Sequence, residues 1–455
     1  MNYTKENKNN QSKSEIFLHI PSHLDGFTNT DTSKKTIADK ECYCFNGFVS
    51  ISENDRICPE CGAYMHHHKV YNVSLKHLPF GGINTRICIN SVELKCSKCG
   101  HTHMQNISFK DDKHFITKAL KEYIRDLLAT NNFTNKEISY LTGVNRNIVK
   151  EIDKERLIEK YTIDGLGKKL IKPEIYAKHL GIDEFKLHNG YKYATHIIDY
   201  DTGYILWIAE GKKKQVVYDF INHVGIEWMS HVEAVACDMN SDFEEAFKDK
   251  CPHIKIVYDH FHIVKNFNDK VIAAIRKDEQ ERLIKAGDEE AAKKLKRSKY
   301  ILYSSTNTLN KKDEEVQNKK IISKGSQLFN KAEIKRHGNY YDRYEKLVNN
   351  NDLFLTIELI KDTLAEAYRV DSEDKMVELI FDVMELCEAS NNKHLRWFGN
   401  LLYNHFDGII THATIRISAG KIEGINNKIK TLRRQAYGYP DDEYFFLKLF
   451  DMSRN

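Results

Sequence analysis

Three features of the sequence predict a multidomain α+β chain. Two C-x-x-C-G pieces mark an N-terminal metal-binding module, a helix–glycine–helix stretch marks a helix-turn-helix, and a later alternation of strand and helix periods marks an α/β domain with a long helical insertion. The expected order is a flexible lead-in at 1–38, the metal module at 39–112, the helix-turn-helix at 113–162 and a linker at 163–180. The first part of the α/β core follows at 181–265, the insertion at 266–405, and the second part of the core at 406–455.

At 455 residues, the chain has room for roughly two to four domains. Its formal charge is only +4, so any surface for nucleic acid must come from local clustering. The sequence has no apolar run of membrane-spanning length and no charged-then-apolar leader, so a cytoplasmic protein is expected, with no membrane partner. Seven of the ten cysteines fall between Cys42 and Cys99, which suits a local metal site in a reducing compartment better than a disulfide framework.

The first 38 residues are rich in Asn, Lys, Ser and Thr and read as mobile. Next come Cys58-Pro59-Glu60-Cys61-Gly62 and Cys96-Ser97-Lys98-Cys99-Gly100, each a turn that points two thiolates at one ion. Together Cys58, Cys61, Cys96 and Cys99 offer the four soft ligands of a tetrahedral structural zinc site, a zinc-binding module. The intervening 34 residues require a small β-rich insert, for which Lys69 to Leu75 and Thr85 to Leu94 alternate suitably. Cys42, Cys44, His66, His67, His68, His101 and His103 either complete a second site or are surface histidines beside an extra thiol pair.

From Phe115 the period turns helical, with Ile116, Leu120, Ile124 and Leu127/Leu128 as one stripe. Asn135 to Leu141, the Gly143 turn and the helix after Asn145 read as helix-turn-helix, with Asn145, Arg146, Asn147 and Lys150 exposed to DNA.

From Gly181 the elements run β-β-β-α-β-α-β, placing Asp183 on the first strand and Asp238 at the tip of the fourth. In a ribonuclease H-like sheet those two strands are neighbours and the carboxylates meet. The bland alternatives are that Asp183 orients its turn and Asp238 caps the helix near Asp242. Asp259 and His262, at the end of the next strand, either support the site from behind or are structural. Late in the chain, Ile422, Ile425, Ile429, Leu432 and Ala436 make a buried helix stripe, while Glu423, Asn427, Lys430 and Arg434 fall on another side. Two strand-borne carboxylates and one on a packed helix can hold Mg2+ (or Mn2+), the hard cations of in-line phosphoryl transfer.

The Gly181–Phe185 strand, the strand ending at Asp238-Met239, Asp259-x-Phe261-His262-x-Val264-Lys265, and Lys421-Ile422-Glu423-Gly424-Ile425-Asn426-Asn427-Lys428-Ile429-Lys430 resemble bacterial insertion-sequence transposases. The match is to the insertion-sequence L-three family, built as zinc finger, helix-turn-helix and DDE catalytic domain. The resemblance implies that Asp183, Asp238 and Glu423 form the DDE triad, with Lys430, Arg433 and Arg434 on backbone phosphate. It also implies amino-terminal modules that read terminal inverted repeats in double-stranded DNA. A homo-oligomeric synaptic complex on end and target DNA in the bacterial nucleoid follows. Two departures stand out: Asn240 follows Asp238-Met239 where an aromatic residue is expected, and the Cys42/Cys44 pair lies outside the pattern. A DNA-binding regulator that no longer cuts, or a ribonuclease H-like nuclease or resolvase, would share these modules.

Overall fold

The computed structural model describes residues 24–37, 40–167, 169–188, 190, 192–239, 241–258, 260–317, 338–349, 351–417, 420–435 and 439–454. The chain divides into two compact units, residues 1–171 with 433–453, and residues 172–432 with Arg454.

The first unit opens with a five-stranded sheet of β1 (Phe27–Ile37), β2 (Lys40–Val49), β3 (Met65–Phe80), β4 (Ile83–Cys96) and β5 (Thr102–Met104), in the order β1-β2-β4-β3 with β5 on the end of β4. β1 corrects the expectation of a mobile lead-in through residue 38. Its Thr-rich sequence pairs antiparallel with β2 from Phe27↔Val49 to Ile37↔Lys40. Polar composition here reflects an exposed edge strand, where β-branched threonine is at home. The expected β insert between the C-x-x-C pieces is one long hairpin, β3–β4, turned by Gly81 and Gly82 at positive φ. Leu75, Ile87 and Ile89 cover Phe45, Ile107 and Phe109 in its core.

Three helices follow: α1 (Lys118–Ala129), α2 (Asn135–Thr142) and α3 (Arg146–Tyr161). Thr117 caps α1, Thr134 and Glu137 form a capping box on α2, and Gly143 closes α2 in the left-handed conformation at φ 67°. Ile116, Leu120, Ile124, Leu128, Ile138, Val149 and Ile152 bury together, the stripe that the 3.6-residue period anticipates.

The last helix, Asp442–Ser453, belongs to this first unit and packs on α3, which corrects its expected place in the α/β core. The reason is polar complementarity. Asp451 is wholly buried and accepts from Arg156 (2.9 Å), Tyr161 (2.7 Å), Lys160 (3.0 Å) and Asn131 (3.0 Å). Asp153, also buried, pairs with Arg156 (2.8 Å) and Lys448 (2.9 Å) and accepts from Tyr444 (2.7 Å). Burial alone would raise the Asp451 carboxyl, but its hydrogen bond from Arg156 leads a set of partners that hold it far below the usual range. The resulting stability is fully present above the unfolded aspartate pKa, about 3.9, and is lost as pH falls through the lower folded value. Asp451→Asn should cost the first unit about 3 kcal/mol, because it leaves buried Arg156 half-compensated, and should blunt the acid limb of its stability profile. Chemical denaturation at pH 7 and at pH 3–4 measures both effects.

The second unit is built on a sheet of β6 (His179–Lys186), β7 (Tyr193–Asp199), β8 (Ile205–Glu210), β9 (Ala234–Cys237) and β10 (Lys255–Tyr258), in the order β10-β9-β6-β7-β8. β6, β7 and β8 form an antiparallel meander, while β9 runs parallel to both β6 and β10. Between the strands lie α4 (Lys214–Val224), the short α5 (Ile226–Met229) and α6 (Ser241–Lys250). Leu180 and Ile182 of β6 share a core with Val217, Phe220, Ile221 and Phe243. α7 (His260–Asn266) leaves β10 and passes through a π-helical turn, Phe267–Ile272.

The interposed region is helical throughout its described residues. It comprises α8 (Ala273–Lys285), α9 (Glu289–Lys296), α10 (Lys299–Tyr303), α11 (Thr306–Gln317) and α12 (Tyr340–Val348). α13 (Asp352–Ala367), α14 (Glu373–Ala389), α15 (Lys393–Asn404) and α16 (Phe406–Thr414) complete it. Phe354, Ile357, Ile360, Met376, Ile380, Val383, Leu395 and Phe398 bury in the same cluster as the sheet. α17 (Gly420–Gln435) then returns to the sheet, and Asp442–Ser453 is α18. No described helix is long and apolar enough to cross a membrane.

Candidate functional site

Two clusters of chemistry-bearing side chains emerge, one in each unit. In the first, the sulfurs of Cys58, Cys61, Cys96 and Cys99 all lie within 4.8 Å of one another, with Cys58–Cys99, Cys61–Cys96 and Cys61–Cys99 at 3.5 Å. Four thiolates at a metal–sulfur distance of about 2.3 Å sit at nearly this separation. The knuckles are shaped by backbone bonds, Gly62 N–H to the Cys58 carbonyl and Gly100 N–H to the Cys96 carbonyl. The Cys99 N–H, ahead of smaller contributions from Lys98 and Cys61, draws the Cys96 thiol down to about 6, favouring the ligating thiolate. All-sulfur donors in this arrangement fit a structural metal ion.

Cys42 and Cys44 lie buried in β2, and burial with neighbouring thiols pushes Cys44 up to about 11. His66, His67 and His68 are exposed on β3. None of these joins a metal-sized group among the described residues.

In the second unit, parallel pairing of β6 with β9 runs His179↔Ala234, Leu180↔Val235, Gly181↔Ala236. Two steps further, the same register sets Asp183 beside Asp238, which directly follows β9. Asp183 accepts from the Glu184 N–H (2.7 Å), and Asp238 from the Met239 N–H (2.6 Å). His262 Nδ1, on α7, lies 3.4 Å from Asp238 Oδ1. Asp259 lies outside the described residues.

α17 is laid on β6 by a close approach. A Cβ on Gly181 would stand 2.9 Å from the side chain of Ile422 and 3.0 Å from Ile198. Two residues along the same strand face, Asn426 Nδ2 donates to Asp183 Oδ2 at 2.6 Å. Burial raises the Asp183 carboxyl above its ordinary range and the charge of Asp238 adds to this, while the Glu184 N–H, Asn426 and His262 oppose it. Glu184 is raised too, by burial first and then by the same two aspartates, against Lys212. Directly across from Asp183 on β7 stands His196, wholly buried and drawn down to about 4 by burial, hence neutral.

Glu423 occupies the exposed first turn of α17, three residues before Asn426 and so about 4.5 Å along the helix axis. Its carboxylate does not close with Asp183 and Asp238 into a group within 4.8 Å. The structure therefore brings Asp183, Asp238 and His262 together and packs the helix bearing Glu423 over them. Oxygen donors beside a desolvated carboxylate fit a hard divalent cation. Lys430 and Arg434 are exposed further along α17, and Arg433 is half-buried.

Asn426 and Gly181 were not singled out from sequence. The signal for Asn426 was its position one turn after Glu423, but it lies between the two faces that periodicity separates. Gly181→Val should push α17 off β6 and abolish whatever chemistry needs Asp183 and α17 together, while costing about 1–3 kcal/mol of stability. Circular dichroism and an activity assay separate the two effects.

On the helix-turn-helix, Asn145 caps α3 by accepting from the Asn147 N–H (2.8 Å). Arg146 and Asn147 are exposed. Lys150 differs from the expected free cation. It pairs with Asp441 at 3.1 Å and lies over the Tyr444 ring, because α18 and the residues before it cover that side of α3.

Residues 180–449 match the family model described as "Transposase", that of the ISL3 type. Along 394 residues, 86% of this chain and 87% of the relative, the chain is 25% identical to the transposase for insertion sequence element IS1001 of Bordetella parapertussis. A shorter likeness, 28% over 87 residues, links 19% of the chain to 20% of the transposase for insertion sequence element IS1557 of Mycobacterium tuberculosis.

Proposed function

Because the chain belongs to the ISL3 family of transposases, we propose that its second unit is a ribonuclease H-like catalytic domain whose DDE triad is Asp183, Asp238 and Glu423. The sheet order and the mixed antiparallel–parallel pairing support the fold reading. The hydrogen bond from Asn426 to Asp183 carries the site reading, since it ties the Glu423 helix to the first aspartate strand. A divalent cation, Mg2+ or Mn2+, would supply charge neutralisation and polarise the attacking and leaving oxygens when bound.

Asp183 and Asp238 present oxygen donors at the strand ends, Glu423 reaches in from α17, and Asn426 fixes the rotamer of Asp183. His262 steadies Asp238. Lys430, Arg433 and Arg434 hold backbone phosphate. In the first step a water oxygen bonds to phosphorus and the bridging 3′ oxygen leaves, taking up a proton. In the second, the freed 3′ hydroxyl loses its proton to solvent and bonds to a target phosphorus, whose own 3′ oxygen leaves. The first unit, with a zinc knuckle pair and with Asn145, Arg146, Asn147 and Lys150 on the helix-turn-helix, binds terminal inverted repeats. Two ends must be held together, so the working form is a homo-oligomer on DNA.

The test incubates purified protein and Glu423→Gln with end DNA and magnesium. Glu423 is exposed, so the variant should fold and bind as wild type while strand cleavage and joining drop by about a hundredfold or more. Equal cleavage by both proteins refutes the role of Glu423. DNA binding with no cleavage by wild type would instead indicate a regulator.

A further inference from the structure

A second anionic site lies in the first unit, away from the recognition helix. A cavity of about 450 Å³ opens between the β2–β4–β3 face and α2, and four cations line it: Lys40, Lys76, Arg86 and Lys136. No carboxylate lines it, and none of the four forms an ion pair with a described residue. Their placement is unfavourable in the protein alone. Lys76 and Arg86 are directly opposed across β3–β4, where like charges destabilise. Lys136 is the second residue of α2, at the positive end of its dipole. Lys40 lies 4.2 Å from the centre of the Tyr140 ring, which holds it at the mouth. Lys76 donates to the Gly143 carbonyl in the turn of the helix-turn-helix, so the cavity and that turn are mechanically one piece.

We propose that this cleft grips a phosphodiester of duplex DNA. A phosphate would neutralise the opposed Lys76–Arg86 pair and the α2 terminus together. The grip would set the angle of the helix-turn-helix through the Lys76–Gly143 bond without reading sequence. It rests on the transposase reading for its choice of DNA as the source of phosphate.

The test uses full-length protein and two fluorescein-labelled duplexes, the element's own terminal sequence and a scrambled one, titrated from 50 to 200 mM salt. Arg86→Gln/Lys136→Gln should bind both duplexes roughly tenfold more weakly and flatten the salt slope by about 2, near 0.9 per phosphate lost. Lys40→Gln/Lys136→Gln changes only exposed positions, so it should show the same trend even where the first variant folds poorly. An unchanged slope in both variants, or a loss confined to the terminal sequence, overturns the proposal. Fluorescent ATP is the second probe. Saturable ATP binding lost in the variants, with the DNA slope intact, overturns DNA as the ligand in favour of a free nucleotide. Wild-type protein that binds neither duplex overturns the DNA-binding reading itself and the cleft with it.

Discussion

Asp183→Asn is expected to give a folded, DNA-binding protein whose magnesium-dependent strand cleavage falls by about a thousandfold or more, roughly 4 kcal/mol of barrier. The substitution keeps shape. The asparagine carbonyl still accepts from the Glu184 N–H, and its amide can face Asn426 once that side chain turns its own oxygen inward. What disappears is the negative charge. In the folded chain that charge is costly, because burial and Asp238 both disfavour it. The sign follows: a raised carboxyl penalises the folded state as pH rises above the unfolded value, about 3.9, and the penalty is complete above the folded one. At pH 7–8 the variant should therefore melt at the same temperature as wild type or slightly higher, and the difference should vanish near pH 4. A residue kept for structure would give the opposite pattern, with lower stability and little effect on cleavage. Cleavage within tenfold of wild type would remove Asp183 from the catalytic group.

The parts legible in sequence were those that announce themselves by spacing. The C-x-x-C pieces, the capped helices around Gly143 and the late isoleucine stripe each carry a local rule, and each appears where the rule places it. The adjacency of the Asp183 and Asp238 strands needed one inference, that of a crossover topology, and the parallel pairing of β6 with β9 supplies it. Long-range complementarity was not legible. Nothing in the local pattern of Asp442 to Ser453 says that Asp451 will meet Arg156 on a helix nearly 300 residues earlier. β1 was hidden for a related reason. An edge strand buries little, so its composition resembles a tail, and only the ladder to β2 distinguishes it. Within the site, Asn426 was missed because helix periodicity sorts residues into faces, whereas a side chain at the border between faces makes the contact to Asp183.

Removing the metal from the four-cysteine cluster should have the largest structural consequence of any single change. The apolar group around it is small: Cys58, Met65, Val92, Leu94 and Cys96, with Ile51, Cys61 and Ala63 half-covering it. Two of the five buried members are themselves ligating cysteines, so thiol burial without an ion leaves a core too small to close the loop between β2 and β3. Metal affinity in such sites is worth about 10–16 kcal/mol at neutral pH, far more than five side chains can supply. Purified protein should contain one zinc per chain. Cys96→Ser, or chelation by a strong zinc chelator, should release the knuckles, expose the start of β3 and the end of β4 to hydrogen exchange, and weaken DNA binding more than tenfold. The second unit should keep its own unfolding transition, because its core shares no residue with this one. Serine is the informative replacement, since it preserves size while offering a poorer ligand. Cobalt substitution gives an independent check through the charge-transfer and ligand-field bands of a tetrahedral thiolate site. If Cys96→Ser retained one bound metal and native exchange protection around β3 and β4, the cysteines would be packing residues and the hairpin would stand by its strand ladder alone.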